Sequence, residues 1–146
     1  MDNDPIPDVH HVARYCSFRR IGEDGKTPTR FAFQLKDKET YLSVNWLEFF
    51  KTGSRGAQIE AIRHAFESKG RSLQEKARFA VLNVGDVRVL STPDNMKLKI
   101  LHKPELLDPS HSGVFGLIHQ DSDMIVEALL ANMVLETHPA RQKMDQ

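Results

Sequence analysis

Arg30-Phe-Ala-Phe-Gln-Leu-Lys-Asp-Lys-Glu-Thr-Tyr-Leu-Ser-Val-Asn-Trp46 is the stretch on which the fold class turns. Phe31, Phe33 and Leu35 fall on every second position, the period of a strand with one buried face. Lys36-Asp-Lys-Glu39 is charged throughout, and Leu42, Val44 and Trp46 resume the alternation beyond it. The expectation is two antiparallel strands joined by a charged hairpin.

On the N-terminal side, Gly22-Glu-Asp-Gly-Lys-Thr-Pro28 has the composition of a polar turn. Before it, Val9 to Arg20 places Val9, His11, Ala13 and Tyr15 on one side and His10, Val12, Arg14, Cys16 and Phe18 on the other, which reads as a strand with two usable faces. Residues 1–8 are polar with two prolines and read as a flexible arm.

On the C-terminal side, Asn45-Trp-Leu-Glu48 has the spacing of a capping box, and predicts a short helix from Trp46 to about Lys51. Ser54 caps a longer helix, whose stripe is Ala57, Ile59, Ile62, Ala65 and Phe66 and whose stop is Gly70. Ser72-Leu-Gln-Glu75 repeats the capping-box spacing. Residues 77–90 support two readings. One is a strand through Phe79 and Val81, a turn at Gly85-Asp86 and a partner strand through Val87 and Val89; the other is a helix from Leu73 to Asn83. Met96, Leu98 and Ile100 alternate with Lys97 and Lys99 in a further half-exposed strand that Pro104 ends. A last helix runs from near Ser122 and ends before Pro139, and residues 139–146 form a polar tail. The expected fold is α+β: an antiparallel sheet of about five strands with two main helices packed on it, in a single domain over residues 9–138.

Composition narrows the function classes. The 146 residues suffice for one domain with a sizeable core, and 20 basic side chains balance 20 acidic ones. That balance argues against a dedicated nucleic-acid binder, whose affinity comes from a positive excess. One cysteine, Cys16, excludes an internal disulfide. No run approaches the ~18 apolar residues of a membrane span, and the acidic Met-Asp-Asn-Asp start is unlike a signal peptide, so a cytoplasmic setting is expected.

Chemistry-bearing residues gather in Leu107–Asp123. His111, His119, Asp108, Asp121 and Asp123 are metal-ligand types, but they match neither HExxH nor an EF-hand loop, and no metal is expected. Asp121, Ser122 and Asp123 sit where a helix N-terminus favours acidic and capping residues. The absence of GxGxxG and GxxxxGK[ST] implies no nucleotide cofactor. An imidazole suits general acid–base work, so His111 with His10 or His11 is the candidate catalytic set of a small hydrolase or nuclease. Against that, Ser110-His111-Ser112, between Pro109 and Gly113, has the chemistry of a turn. Arg14, Arg19 and Arg20, with Tyr15, Phe18 and Phe31 nearby, form a weaker candidate face for stacking bases and neutralising phosphates.

The final helix carries the most weight. From Met124 to Leu135 only Glu127 and Asn132 are polar, so no amphipathic stripe can be drawn. Such a helix is either enclosed by its own domain or covered by another chain. Met124, Val126, Leu130, Met133 and Leu135 are therefore the expected contacts with a partner protein or a second copy. The expected role is a non-enzymatic accessory or adaptor subunit of a bacterial multi-subunit assembly. The histidine-dependent hydrolase and a nucleic-acid-contacting subunit are the alternatives.

Overall fold

A computed structural model describes residues 2–90 and 97–141. The fold is α+β. Among the described residues six strands, β1 (His11–Cys16), β2 (Leu42–Trp46), β3 (Arg78–Asn83), β4 (Lys99–His102), β5 (His111–Phe115) and β6 (Glu136–Pro139), form one antiparallel sheet. Its order is β4-β5-β2-β1-β3-β6. Three α-helices accompany it: α1 (Arg55–Ser68), the short α2 (Val84–Arg88) and α3 (Asp123–Asn132).

The two-sided pattern of β1 is what organises the layers. Ala13 packs on one side with Leu47, Ile59, Ile62, Phe66, Phe79 and Val81, under α1. Val12 and Cys16 pack on the other side, with Leu42, Val44, Leu82, Ile100 and Val114 beneath α2, α3 and the segment around Phe33. Each large side chain so enclosed contributes roughly 1.5–3 kcal/mol relative to exposure. Helix α1 forms as its spacing predicts. The Ser54 side chain accepts from the Ala57 amide, Ile59, Ile62, Ala65 and Phe66 are buried, and Gly70 ends the helix in the left-handed region at φ +74°. The Gly22–Pro28 turn also forms, closed by Asp24, which accepts from the Lys26 and Thr27 amides.

Several elements depart from expectation. Arg30–Phe33 is a 3-10 turn, not a strand. Ala32, Phe33 and Leu35 are buried while Phe31 is exposed, because the segment packs on α3 and β2 pairs with β1 and β5 instead. The Asn45 capping box is unused: Asn45 lies in β2, and Leu47–Phe49 is a single 3-10 turn. No helix follows Ser72, and β3 resolves the ambiguous segment as a strand up to Asn83. Val84–Arg88 is then helical where a partner strand was expected, with Asn83 as its cap.

His111–Phe115, read as a turn, is the strand between β2 and β4. Gly113 belongs there because Tyr41 lies across it. A Cβ at Gly113 would stand 2.5 Å from Tyr41 Cδ2. Met96 lies outside the described residues, and the strand that was to contain it spans Lys99–His102.

Both chain ends also differ. Residues 3–6 run along β4, with Asn3 N–H donating to the His102 carbonyl (2.7 Å) and Ile6 N–H to the Ile100 carbonyl (3.1 Å). Ile6 is only 1% exposed while its neighbours are exposed, so this segment is an arm fastened along β4 with one side chain in the core. Pro139 belongs to β6 and Ala140 is fully buried, so the packed body extends into the expected tail.

Candidate functional site

Two features stand out once the sheet is built: a cationic cleft beside α1 and the outer face of α3.

The cleft begins where β1 and β2 part. Their ladder consists of Val12–Trp46 and Ala13–Asn45, and Arg14 is the next residue of β1. Its guanidinium reaches across the opening: Nε donates to the Ala32 carbonyl (2.9 Å) and Nη1 to the Ser43 carbonyl (2.8 Å). Arg14 is 7% exposed and forms no ion pair among the described residues. Burial lowers its pKa from the ordinary value, and Arg20 and Arg71 add repulsion against the partial help of Cys16 and Glu39. Around Arg14 stand Arg20, Lys36 and Arg71, with Tyr15, Ser43 and His111 among the other walls. The enclosed space is about 130 Å³.

The wall formed by β2 and β5 is polar and fully satisfied. Asp108 is completely buried, and accepts from Asn45 Nδ2 (2.8 Å) and Lys69 Nζ (2.6 Å). Lys69 also reaches Glu105 at 3.3 Å, so its charge is neutralised within the fold. His111 Nδ1 lies 2.8 Å from the Lys103 carbonyl. A carbonyl only accepts, so Nδ1 carries a proton, and Nε2 lies 3.3 Å from the Ser43 hydroxyl.

The histidine pair expected of a hydrolase is not assembled. His10 Nδ1 accepts from Trp46 Nε1 (3.0 Å), and His11 is committed to Glu48 through its amide (2.6 Å) and Nδ1 (2.5 Å). Neither lines the cleft with His111. The candidate nucleic-acid face is split: Arg14 and Arg20 line the cleft with Tyr15, whereas Arg19 does not. Arg14 is buried, Arg19 is exposed on the Phe18–Arg20 turn, and Tyr15 packs on Phe66 and Phe79.

Among the described residues no group of three or more His, Cys, Asp or Glu is placed to hold a metal. Asp123 turns back to accept from the Ile118 and His119 amides, and Ser122 makes no cap bond, so the expected N-cap is replaced by a loop-bracing carboxylate.

Helix α3 divides into two faces. Asp123, Val126, Glu127 and Leu130 are buried, and Glu127 is paired with Arg30 at 2.8 Å. Burial raises the Glu127 pKa, and the Arg30 hydrogen bond offsets part of that. Met124, Ile125 and Leu129 are 44%, 59% and 39% exposed, and Ala128 is exposed between them. Of the expected partner contacts, Val126 and Leu130 are therefore core, Met133 is partly buried against it, and Met124 and Leu135 are exposed. Ile125 and Leu129 were missed. Their place on the outer stripe follows from the 3.6-residue period once the inner face is known. No helix among the described residues is long and apolar enough to cross a membrane.

No family model, curated protein or solved structure matches the chain.

Proposed function

We propose that this protein acts by binding another protein chain through the outer face of α3, as a non-enzymatic accessory or adaptor subunit. The observation that carries the reading is the continuous exposed stripe of Met124, Ile125, Ala128 and Leu129 on a helix whose opposite face is already in the core. Apolar side chains at i, i+1, i+4 and i+5, large at all but Ala128, form a ridge that suits an apolar groove or a second helix. The unbranched thioether of Met124 adapts to a partner surface. The proposed setting is the cytoplasm, where the buried Cys16, its pKa pushed up to about 11 by burial, stays a thiol.

The test is light scattering combined with affinity capture by the wild type and by the double variant Ile125→Glu, Leu129→Glu. The wild type is expected to self-associate or retain a stoichiometric protein partner, and the variant to lose it while keeping its melting temperature. A monomeric wild type that captures nothing overturns the reading. So does capture that the double substitution leaves unchanged.

A further inference from the structure

The cleft beside α1 carries an inference independent of α3. Buried charges in folded proteins are ordinarily paired, because an isolated ion loses its hydration without compensation. Arg14 departs from that rule. Two backbone carbonyls hold Nε and Nη1, no carboxylate pairs with it, and Nη2 has no acceptor among the described residues. Arg20, Lys36 and Arg71 surround the same space, and none of the three forms an ion pair among the described residues. Glu39 is the one carboxylate lining it. The cleft therefore sets Arg14, Arg20, Lys36 and Arg71 against one carboxylate around a small cavity, in a protein whose total charge is zero.

The cations are also oriented. The Arg71 guanidinium lies 4.6 Å from the centre of the Phe66 ring, which fixes its plane at the mouth. The Arg20 Nη1 donates to the Phe31 carbonyl at 3.0 Å, leaving its other donors for the cleft. The Tyr15 hydroxyl accepts from the Gln74 amide (3.0 Å), so its own proton is available to donate. Arg14, Arg20, Tyr15 and Arg71 thus bring donors from different segments of the chain to the lining of one cavity. A carboxylate is satisfied by a single guanidinium fork, whereas a tetrahedral phosphoryl group presents oxygens to several donors at once. The volume of about 130 Å³ admits such a group with a short organic portion.

We propose that this cleft binds the phosphoryl group of a small molecule, with Arg14 as its floor and Arg20, Lys36 and Arg71 as its rim. Ser43 and His111 form the wall beside it. Free phosphate and a phosphomonoester share this chemistry, and the two differ in whether an organic group rests against Tyr15 and Phe66.

Calorimetric titration and ¹H–¹⁵N spectra with inorganic phosphate, phenyl phosphate and acetate test the assignment. Arg14 braces two segments of backbone, so the informative variants are Arg71→Gln and Lys36→Gln, with Lys51→Gln as a charge control outside the cleft. Saturable binding of inorganic or phenyl phosphate is expected, with shifts gathered at Arg14, Ser43, Tyr15 and Arg71. Tighter binding of phenyl phosphate identifies an ester as the ligand, and equal binding identifies the free ion; either supports the site. Arg71→Gln and Lys36→Gln should each weaken binding at least tenfold while Lys51→Gln leaves it unchanged. Acetate binding as tight as phosphate, shifts scattered without saturation, or full affinity in Arg71→Gln overturns the proposal.

Discussion

Glu48 joins β1 to the turn that follows β2, because its carboxylate takes both the His11 amide and His11 Nδ1. Burial works to raise its pKa, but the hydrogen bonds from the His11 side chain and backbone outweigh that and leave it below the ordinary 4.5. A carboxyl with a depressed folded-state pKa contributes stability above its unfolded value, and that contribution disappears as pH falls through the folded one. Glu48→Gln is therefore expected to be less stable at pH 7 by about 1–2 kcal/mol, since charged hydrogen bonds contribute about that much. The deficit should shrink as pH is lowered from about 4.5. Urea unfolding across pH 3–7 reads this directly; a deficit that does not change with pH would assign the loss to packing instead. At this scale the sequence was misleading. The Asn45–Glu48 spacing fits a helix cap, yet Glu48 bonds a residue 37 positions away. Spacing encodes only local partners, and this pair is created by sheet register.

Elements whose burial repeats along the chain were readable. β1 shows its two faces, and α1 shows its cap, stripe and terminal glycine. Elements defined by neighbours were not. The alternation of Phe31, Phe33 and Leu35 satisfies a strand template, but β2 pairs with β1 and β5 instead and the segment closes over α3. β5 carries His, Ser and Gly, which are poor strand formers, and becomes a strand because it lies between β2 and β4. For α3, hydrophobicity alone identified an unusual helix without saying which side faced inward. The buried arrangement makes a sharp contrast. Leu130→Ala, at a position 1% exposed, should cost about 2–5 kcal/mol by leaving a cavity. Leu129→Ala, one residue away and 39% exposed, should change stability by no more than about 0.5 kcal/mol. Denaturant midpoints of the two variants check this, and similar losses would mean that α3 is covered on both sides.

Across the whole molecule, the cleft and the sheet edges arise from long-range assembly. Arg14, Lys36, Ser43, Arg71 and His111 span nearly a hundred positions of sequence, so no motif could announce them; only the orphaned charge of Arg14, visible once its surroundings are known, marks the place. The N-terminal segment is the same kind of feature. Its prolines and acidic residues suggest a loose arm, yet Asn3 and Ile6 donate to β4 and Asp4 accepts from the His102 amide at 2.8 Å. The segment thus occupies backbone groups that would otherwise form an open sheet edge, a known route to edge-to-edge association. Ile6 also fills the core shared with Leu98 and Ile100. Deleting residues 1–8 should therefore act in two ways. Loss of Ile6 alone is worth about 2–5 kcal/mol by comparison with large-to-small core substitutions. The uncovered β4 should in addition promote association that rises with protein concentration. Ile6→Ala separates the two, because it opens the core while the backbone bonds to β4 remain. The melting temperature should fall in both proteins, and concentration-dependent scattering should grow only in the truncated one. Equal association in Ile6→Ala would place the cause in the weakened core rather than in the exposed edge.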